Sequence, residues 1–278
     1  MSETTPTTPA SPRAITPGSP VWVDLGVPDL PAVQGFYTAL FGWQFEDMGP
    51  DFAHYHMITN HGAHVGGAMS MQEDEQDQPA FWTVYLKTED IEKSLTDTAA
   101  AGGNVVVPAM PMPGLGTMGV VTTPGGEGMG LWQSDGFEGF DLNGAVGAPV
   151  WFEVMSFDFE ADAAYYRAVW GWDPTPLSDG GEGGSEETGG EDVAYANNHP
   201  GEAASAGLCG APRAWYPEGT PSHWRAYFIV ADADAAAEQV RQLGGTVLDG
   251  PMDTPFGRLA TVADPAGAFF QIAQLPAQ

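Results

Sequence analysis

The sequence predicts an α+β protein made of two tandem copies of one domain, and three observations carry that prediction. Gly18-Ser-Pro-Val-Trp22-Val-Asp24 returns as Gly147-Ala-Pro-Val-Trp151-Phe-Glu153, and Gly42-Trp43 returns as Gly171-Trp172, both 129 residues later. Further along, Trp82, Tyr85, Asp90 and Gly102-Gly103 reappear 142 residues on as Trp224, Tyr227, Asp232 and Gly244-Gly245. A repeat at so long a period means a duplicated domain. Within each copy the apolar pattern changes twice from the alternation of a strand to the wider spacing of a helix. A chain of 278 residues has the length of two ordinary domains.

The elements follow in order. Residues 1–19, rich in Pro, Thr and Ser, read as a disordered tail. The first domain is assigned to 20–133. In Val21–Val27, residues Val21, Val23, Leu25 and Val27 share one strand face, and Trp22 and Asp24 the other. Asp29 is the expected N-cap of a helix with Pro31 in its first turn, a buried stripe of Val33, Phe36, Tyr37, Leu40 and Phe41, and Gly42 as its stop. Strands are expected near His54–Thr59 and His64–Ser70. The pattern then restarts with a strand over Phe81–Lys87, a helix from Asp90 to Gly102-Gly103, and further strands. Residues 134–147 read as a Gly-rich linker, and the second domain as 148–278. The offset grows because the second copy has an insertion at 178–192, with six Gly, six acids and no apolar residue; it is expected to be a mobile loop.

Composition excludes several classes. Thirty-seven acids against eight bases give a formal charge of −29, a field that repels nucleic-acid phosphates and anionic membrane surfaces alike. Apolar runs are too short for a membrane span, and the N-terminus carries no secretory pattern, so a cytoplasmic protein is expected. Cys209 stands alone, with no activating neighbour in sequence and no partner for a disulfide or thiolate cluster.

The strand followed by Asp29-Leu…Phe36-Tyr37…Leu40-Phe-Gly-Trp43 resembles the vicinal oxygen chelate superfamily of glyoxalase, bleomycin-resistance and extradiol-dioxygenase proteins. So do the two helices that open on Asp and close on Gly-Gly, and the closing Asp264-Pro-Ala-Gly-Ala-Phe-Phe-Gln-Ile-Ala-Gln274. The resemblance implies two glyoxalase-like domains, each of two βαβββ modules whose curled sheet encloses a cleft. It also implies a divalent metal held by side chains on the first and last strands of the modules. Carried over by position, those places fall at Trp22, about Thr83, and Gly130 in copy one, and at Trp151, about Arg225, and Gln271 in copy two. These residue types do not make a divalent-ion site, so no metal and no cofactor is expected.

In the register that the resemblance implies, the first cleft is lined by Trp22, Asp24, Phe81, Thr83, Tyr85 and Trp132. The second is lined by Trp151, Glu153, His223, Arg225 and Tyr227, with Phe269 and Gln271. Aromatic walls with few polar groups suit a flat organic ligand. A carboxylate two residues after each tryptophan is a candidate general acid or base, so Asp24 and Glu153 are the candidate catalytic residues. Both have a structural reading as well, Glu153 as the ion-pair partner of Arg225 and Asp24 as a satisfied acceptor. His54 and His56, expected on one strand face, are added as ligand-contact candidates, with His61 and His64 nearby. The favoured function is metal-independent binding of a small, aromatic molecule, with carboxylate acid–base chemistry open to it. The alternatives are a metal-dependent lyase or isomerase resembling lactoylglutathione lyase, and a non-catalytic binding or scaffold protein. A monomer or a homodimer fits, with the second cleft favoured slightly for its more polar lining.

Overall fold

The computed structural model describes residues 15–72, 78–141, 144–176 and 193–276. The insertion at 178–192 and residues 1–14 of the tail lie outside the described residues. In the first domain β1 (Pro20–Val27), α1 (Leu30–Phe41), β2 (Gln44–Asp47), β3 (His56–Asn60) and β4 (Ala63–Ser70) make one module. The other is β5 (Phe81–Lys87), α2 (Ile91–Ala100), β6 (Asn104–Met112), β7 (Gly116–Thr122) and β8 (Gly128–Ser134). The second domain repeats this with β9 (Pro149–Ser156), α3 (Phe159–Trp170), β10 (Thr175–Pro176), β11 (Tyr195–Asn197) and β12 (Gly207–Gly210). It continues with β13 (His223–Ile229), α4 (Ala233–Gln242), β14 (Thr246–Thr254), β15 (Gly257–Ala263) and β16 (Phe269–Gln274). Each domain is one eight-stranded sheet, ordered β2-β3-β4-β1-β5-β8-β7-β6 and β10-β11-β12-β9-β13-β16-β15-β14. The two modules meet at the antiparallel β1/β5 and β9/β13 pairs, so the first strands of all four modules lie at the sheet centres. No helix among the described residues is long and apolar enough to cross a membrane.

Local chemistry sets the ends of the elements. Asp90, Asp158 and Asp232 cap their helices through the side chain, whereas Asp29 stands at the N-cap of α1 without such a bond. The two closing glutamines have equivalent jobs: Gln133 accepts from Ile91 N at 2.8 Å and Gln274 from Ala233 N at 2.9 Å, each holding the start of a helix.

The motifs that reveal the duplication are the clamps between the domains. Trp43 Nε1 donates to Gly147 O at 2.8 Å, and Trp172 Nε1 donates to Gly18 O at 2.9 Å. Each tryptophan follows a first helix and bonds the glycine that precedes the other domain's first strand. Both glycines have positive φ, and a Cβ on Gly147 would press on Phe41 O and the Trp43 indole, which explains Gly at the head of both repeats. Residues 16–19 of the expected tail are thereby fixed, with Gly18 N donating to Lys87 O and Lys87 N to Ser19 O. The expected linker is also built into the fold: Phe140 packs on Trp22 and stacks on Phe152 of the other domain at 5.5 Å.

A second pair of clamps differs between the copies. Tyr37 donates to Asp264, a carboxylate that also accepts from the backbone of Ala266 and Ala268. Its counterpart Tyr166 donates to Glu127 at 3.0 Å, but Glu127 is 1% exposed and its Oε2 has no partner. Burial, with Asp162 nearby adding to it, pushes the Glu127 carboxyl from 4.5 up to about 7. The folded state therefore favours the protonated acid. Its contribution to stability is whole below the unfolded value of 4.5 and is lost as pH rises towards 7, up to roughly 3 kcal/mol. Glu127→Gln should match the wild type near pH 4.5 and exceed its urea midpoint at pH 8; equal midpoints at pH 8 would refute the assignment.

Candidate ligand-binding cleft

The first sheet curls so far that seven of its strands or their flanking turns border one cavity of about 300 Å³. Strand alternation turns Trp22 and Asp24 of β1 inward, as expected, and the antiparallel register sets Tyr85 of β5 opposite Trp22. Trp132 enters from β8, Tyr55 from the turn before β3, and Phe137 from the segment after β8. The remaining wall is sulfur-rich: Met48, Met57, Met69, Met110, Met112 and Met118 all face the cavity. Thioethers on flexible stems are polarisable and adapt to the outline of a ring. The charged residues on the lining are Asp24, deep in the cleft, and Asp51 on its rim.

Asp24 is the centre of a compact polar cluster. Its Oδ1 accepts from Trp22 Nε1 at 2.9 Å and from the Tyr55 hydroxyl, and Tyr85 is a further donor. Trp22 Nε1 also lies 2.7 Å from the Tyr55 oxygen. Burial raises the Asp24 carboxyl from 3.8 to about 6, the three donors opposing that rise. The same burial beside Asp24 drives both phenols well above their ordinary range, so they remain proton donors. Two glycines make room for the tyrosines. A Cβ on Gly67 would overlap the Tyr55 hydroxyl, and one on Gly130 would overlap the Tyr85 ring.

The second domain repeats the cluster with one addition. Tyr227 donates to Glu153 Oε2 at 2.8 Å, Tyr195 bonds the same carboxylate, and Trp151 Nε1 donates to Tyr195 at 3.2 Å. Gly207 gives Tyr195 the room that Gly67 gives Tyr55. The addition is Arg225, which faces Glu153 across the β9/β13 ladder and pulls its carboxyl down against the rise from burial. Arg225 also donates to Tyr216. His223 is wedged among Phe157, Tyr216 and Phe269, where burial holds its imidazole below the usual value. Cys209 is buried, its thiol pushed up to about 12, which makes it unreactive.

Three expectations need correction. His54 and His56 do not share a strand face: His54 sits in a turn at φ 57°, bonded to Asp47 at 2.9 Å, and β3 begins only at His56. The cavity takes Ala53, Tyr55 and Met57 from this stretch, and the alternating histidines turn away from it. His64 is held separately by Asp141 at 2.7 Å. The place level with Trp22 on β5 is Tyr85, not Thr83, and on β13 it is Tyr227, not Arg225. Phe81 is 45% exposed and packs over Gly26 rather than lining the cavity.

Level across the sheet, then, stand Trp22, Tyr85 and Gly130 in one domain and Trp151, Tyr227 and Gln271 in the other. Gln271 is already engaged with Thr261 at 2.9 Å. Among the described residues no three His, Cys, Asp or Glu converge on a metal position. This donor set does not fit a divalent ion. Sequence reading missed Tyr55, Tyr195, Phe137 and the methionine wall. The first two had a signal, since a tyrosine stands twelve residues before a glycine in both copies, at Tyr55–Gly67 and at Tyr195–Gly207.

Comparison with known proteins agrees with this architecture. Residues 19–129 match the family model described as Glyoxalase/Bleomycin resistance protein/Dioxygenase superfamily, and residues 151–273 match a Glyoxalase-like domain. The chain is 33% identical to an anthracycline biosynthesis protein, DauV, of a Streptomyces species, over 93% of this chain and 94% of that one. It is 32% identical to a putative glyoxylase, CFP32, of Mycobacterium tuberculosis, over 92% and 94%. Similar folds are seen in a Mn(II)-bound glyoxalase from Novosphingobium aromaticivorans (15% identity, TM-score 0.59, 93% of this chain and 82% of that one). Another is the 2,3-dioxygenase LapB from a Pseudomonas species (16% identity, TM-score 0.58, 95% and 96%).

Proposed function

The chain belongs to the glyoxalase/bleomycin resistance protein/dioxygenase superfamily, and from that premise we propose that its first domain binds a small, flat aromatic molecule without the metal usual to such clefts. The observation that carries this is the lining: six aromatic rings and six methionines around one half-buried carboxylate. Apolar rings fit between thioethers and aromatic faces, while one convergent polar cluster fixes their orientation. A relative named for anthracycline biosynthesis supports a polycyclic ligand. The residues level with Trp22 and Trp151 across each sheet offer no set of hard donors for a metal.

Asp24 anchors the ligand and is placed for acid–base work. At neutral pH its carboxylate is ionised and can take a proton from a phenol, an enol or a carbon next to a carbonyl. The Tyr55 and Tyr85 hydroxyls, which stay protonated, steady the charge. Glu153 heads the matching cluster in the second domain. Asp24→Asn keeps the shape and removes the charge. It should leave thermal unfolding within a few degrees of wild type and weaken saturable binding of a polycyclic phenol about tenfold, the worth of one charge-assisted hydrogen bond. Unchanged binding would remove Asp24 from the site, and no saturable binding to wild type would remove the reading itself.

A further inference from the structure

The duplication supplies its own control for the charge of the ligand. In the second domain the buried carboxylate of Glu153 faces the guanidinium of Arg225. In the first cleft Asp24 holds the place of Glu153, but the residue facing it is Thr83. Among the described residues no Lys, Arg or His lines the first cavity, and the one other charge on its wall is Asp51, again an acid. Asp24 is satisfied by hydroxyl and indole donors, which spread its charge without cancelling it. Burial lifts its carboxyl only to about 6, so the negative charge is present at neutral pH. A half-buried charge with no counter-ion among the described residues favours any ligand that brings one, all the more where aromatic faces such as Trp22 and Trp132 also attract cations.

We infer that the first cleft selects aromatic molecules that carry a cationic group, such as a protonated amine, and rejects carboxylated ones. The ligand's cation takes the part in this domain that Arg225 takes in the other. The inference rests on reading the cleft as a ring-binding site and adds the charge class of its ligand. The net charge of −29 acts in the same direction at long range but is screened by salt, whereas the contribution of Asp24 inside the cleft is screened far less.

The test uses three ring-matched probes on the full chain at pH 7.5: 9-aminoacridine as cation, acridine as the neutral ring, and acridine-9-carboxylate as anion. Fluorescence titration in high salt should rank them in that order, with about tenfold or more between cation and anion. Asp24→Asn should bring the cation and the neutral ring within about twofold of each other. Thr83→Arg, which installs the missing guanidinium, should weaken the cation in particular. If Thr83→Arg does not fold, Asp24→Asn alone decides. All three probes binding alike would overturn the charge inference and leave the ring site standing. A cation preference unchanged in Asp24→Asn would overturn it too, since the charge responsible would lie elsewhere. Binding of none of the three would bring down the ring-site reading, and this inference with it.

Discussion

Trp43→Ala should destabilise the whole chain by about 3–5 kcal/mol, read as a fall in the urea midpoint. Trp43 is 1% exposed and stacks on Tyr37 at 5.3 Å and Phe41 at 4.7 Å, with Phe228 of the other domain edge-on at 5.1 Å. Removing it opens a cavity where both domains contribute walls, and it leaves the carbonyl of Gly147 without its donor. Trp43→Phe separates the two effects. It keeps most of the packing and loses the hydrogen bond, so about 1–2 kcal/mol should go. Because the core runs continuously from one domain into the other, wild type should unfold in one transition and Trp43→Ala in two. A loss below about 1 kcal/mol for the alanine variant would mean that the domains dock through something other than this aromatic core.

That core explains why so much of the fold was legible. The residues that repeat between copies, Gly18 with Gly147, Trp43 with Trp172 and Tyr37 with Tyr166, are those that bond across the domain boundary, where pseudo-symmetry demands equivalent partners. Period and capping signals likewise placed β5 and α2, because a half-buried strand and a capped helix follow from local chemistry. The cleft was legible only where it is built on regular strands. Trp22, Asp24, Tyr85 and Trp132 followed from alternation, since a strand one residue out of register would show its other side chains. Tyr55 and Phe137 come from a turn and from the segment after β8, where no period constrains direction, and His54 and His56 do not share a face because the strand begins later than the apolar pattern suggests. The six methionines are scattered over 48–118 and converge only when the sheet curls, a property of tertiary structure that no local window contains.

Gly130→Ala should cost more binding than its single methyl group suggests. Gly130 lies beside Tyr85 in the parallel β5/β8 pair, and the ring of Tyr85 rests on it so closely that a Cβ has no room. Both residues are in central strands, so the backbone cannot yield and the tyrosine must move. Its free direction is into the cavity, because Trp22 stands opposite it on the neighbouring strand. The displaced ring would fill space meant for the ligand and withdraw the Tyr85 donor from Asp24. Overpacking of this kind costs about 1–3 kcal/mol of stability. Loss of both volume and a donor should lower ligand affinity by more than about tenfold, to be measured beside Asp24→Asn with the same probe. The argument extends to Gly130→Glu, which puts a carboxylate where the resemblance expects a metal ligand. Asp24, bonded to both Trp22 and Tyr85, is the one carboxylate near it among the described residues, and two carboxylates without a histidine fall short of a divalent-ion site, so the variant should lose the cleft without gaining a metal. Stoichiometric metal uptake by Gly130→Glu would show instead that Asp24 and the new carboxylate suffice to hold an ion. Full affinity in Gly130→Ala would show that Tyr85 can leave its place without entering the cavity.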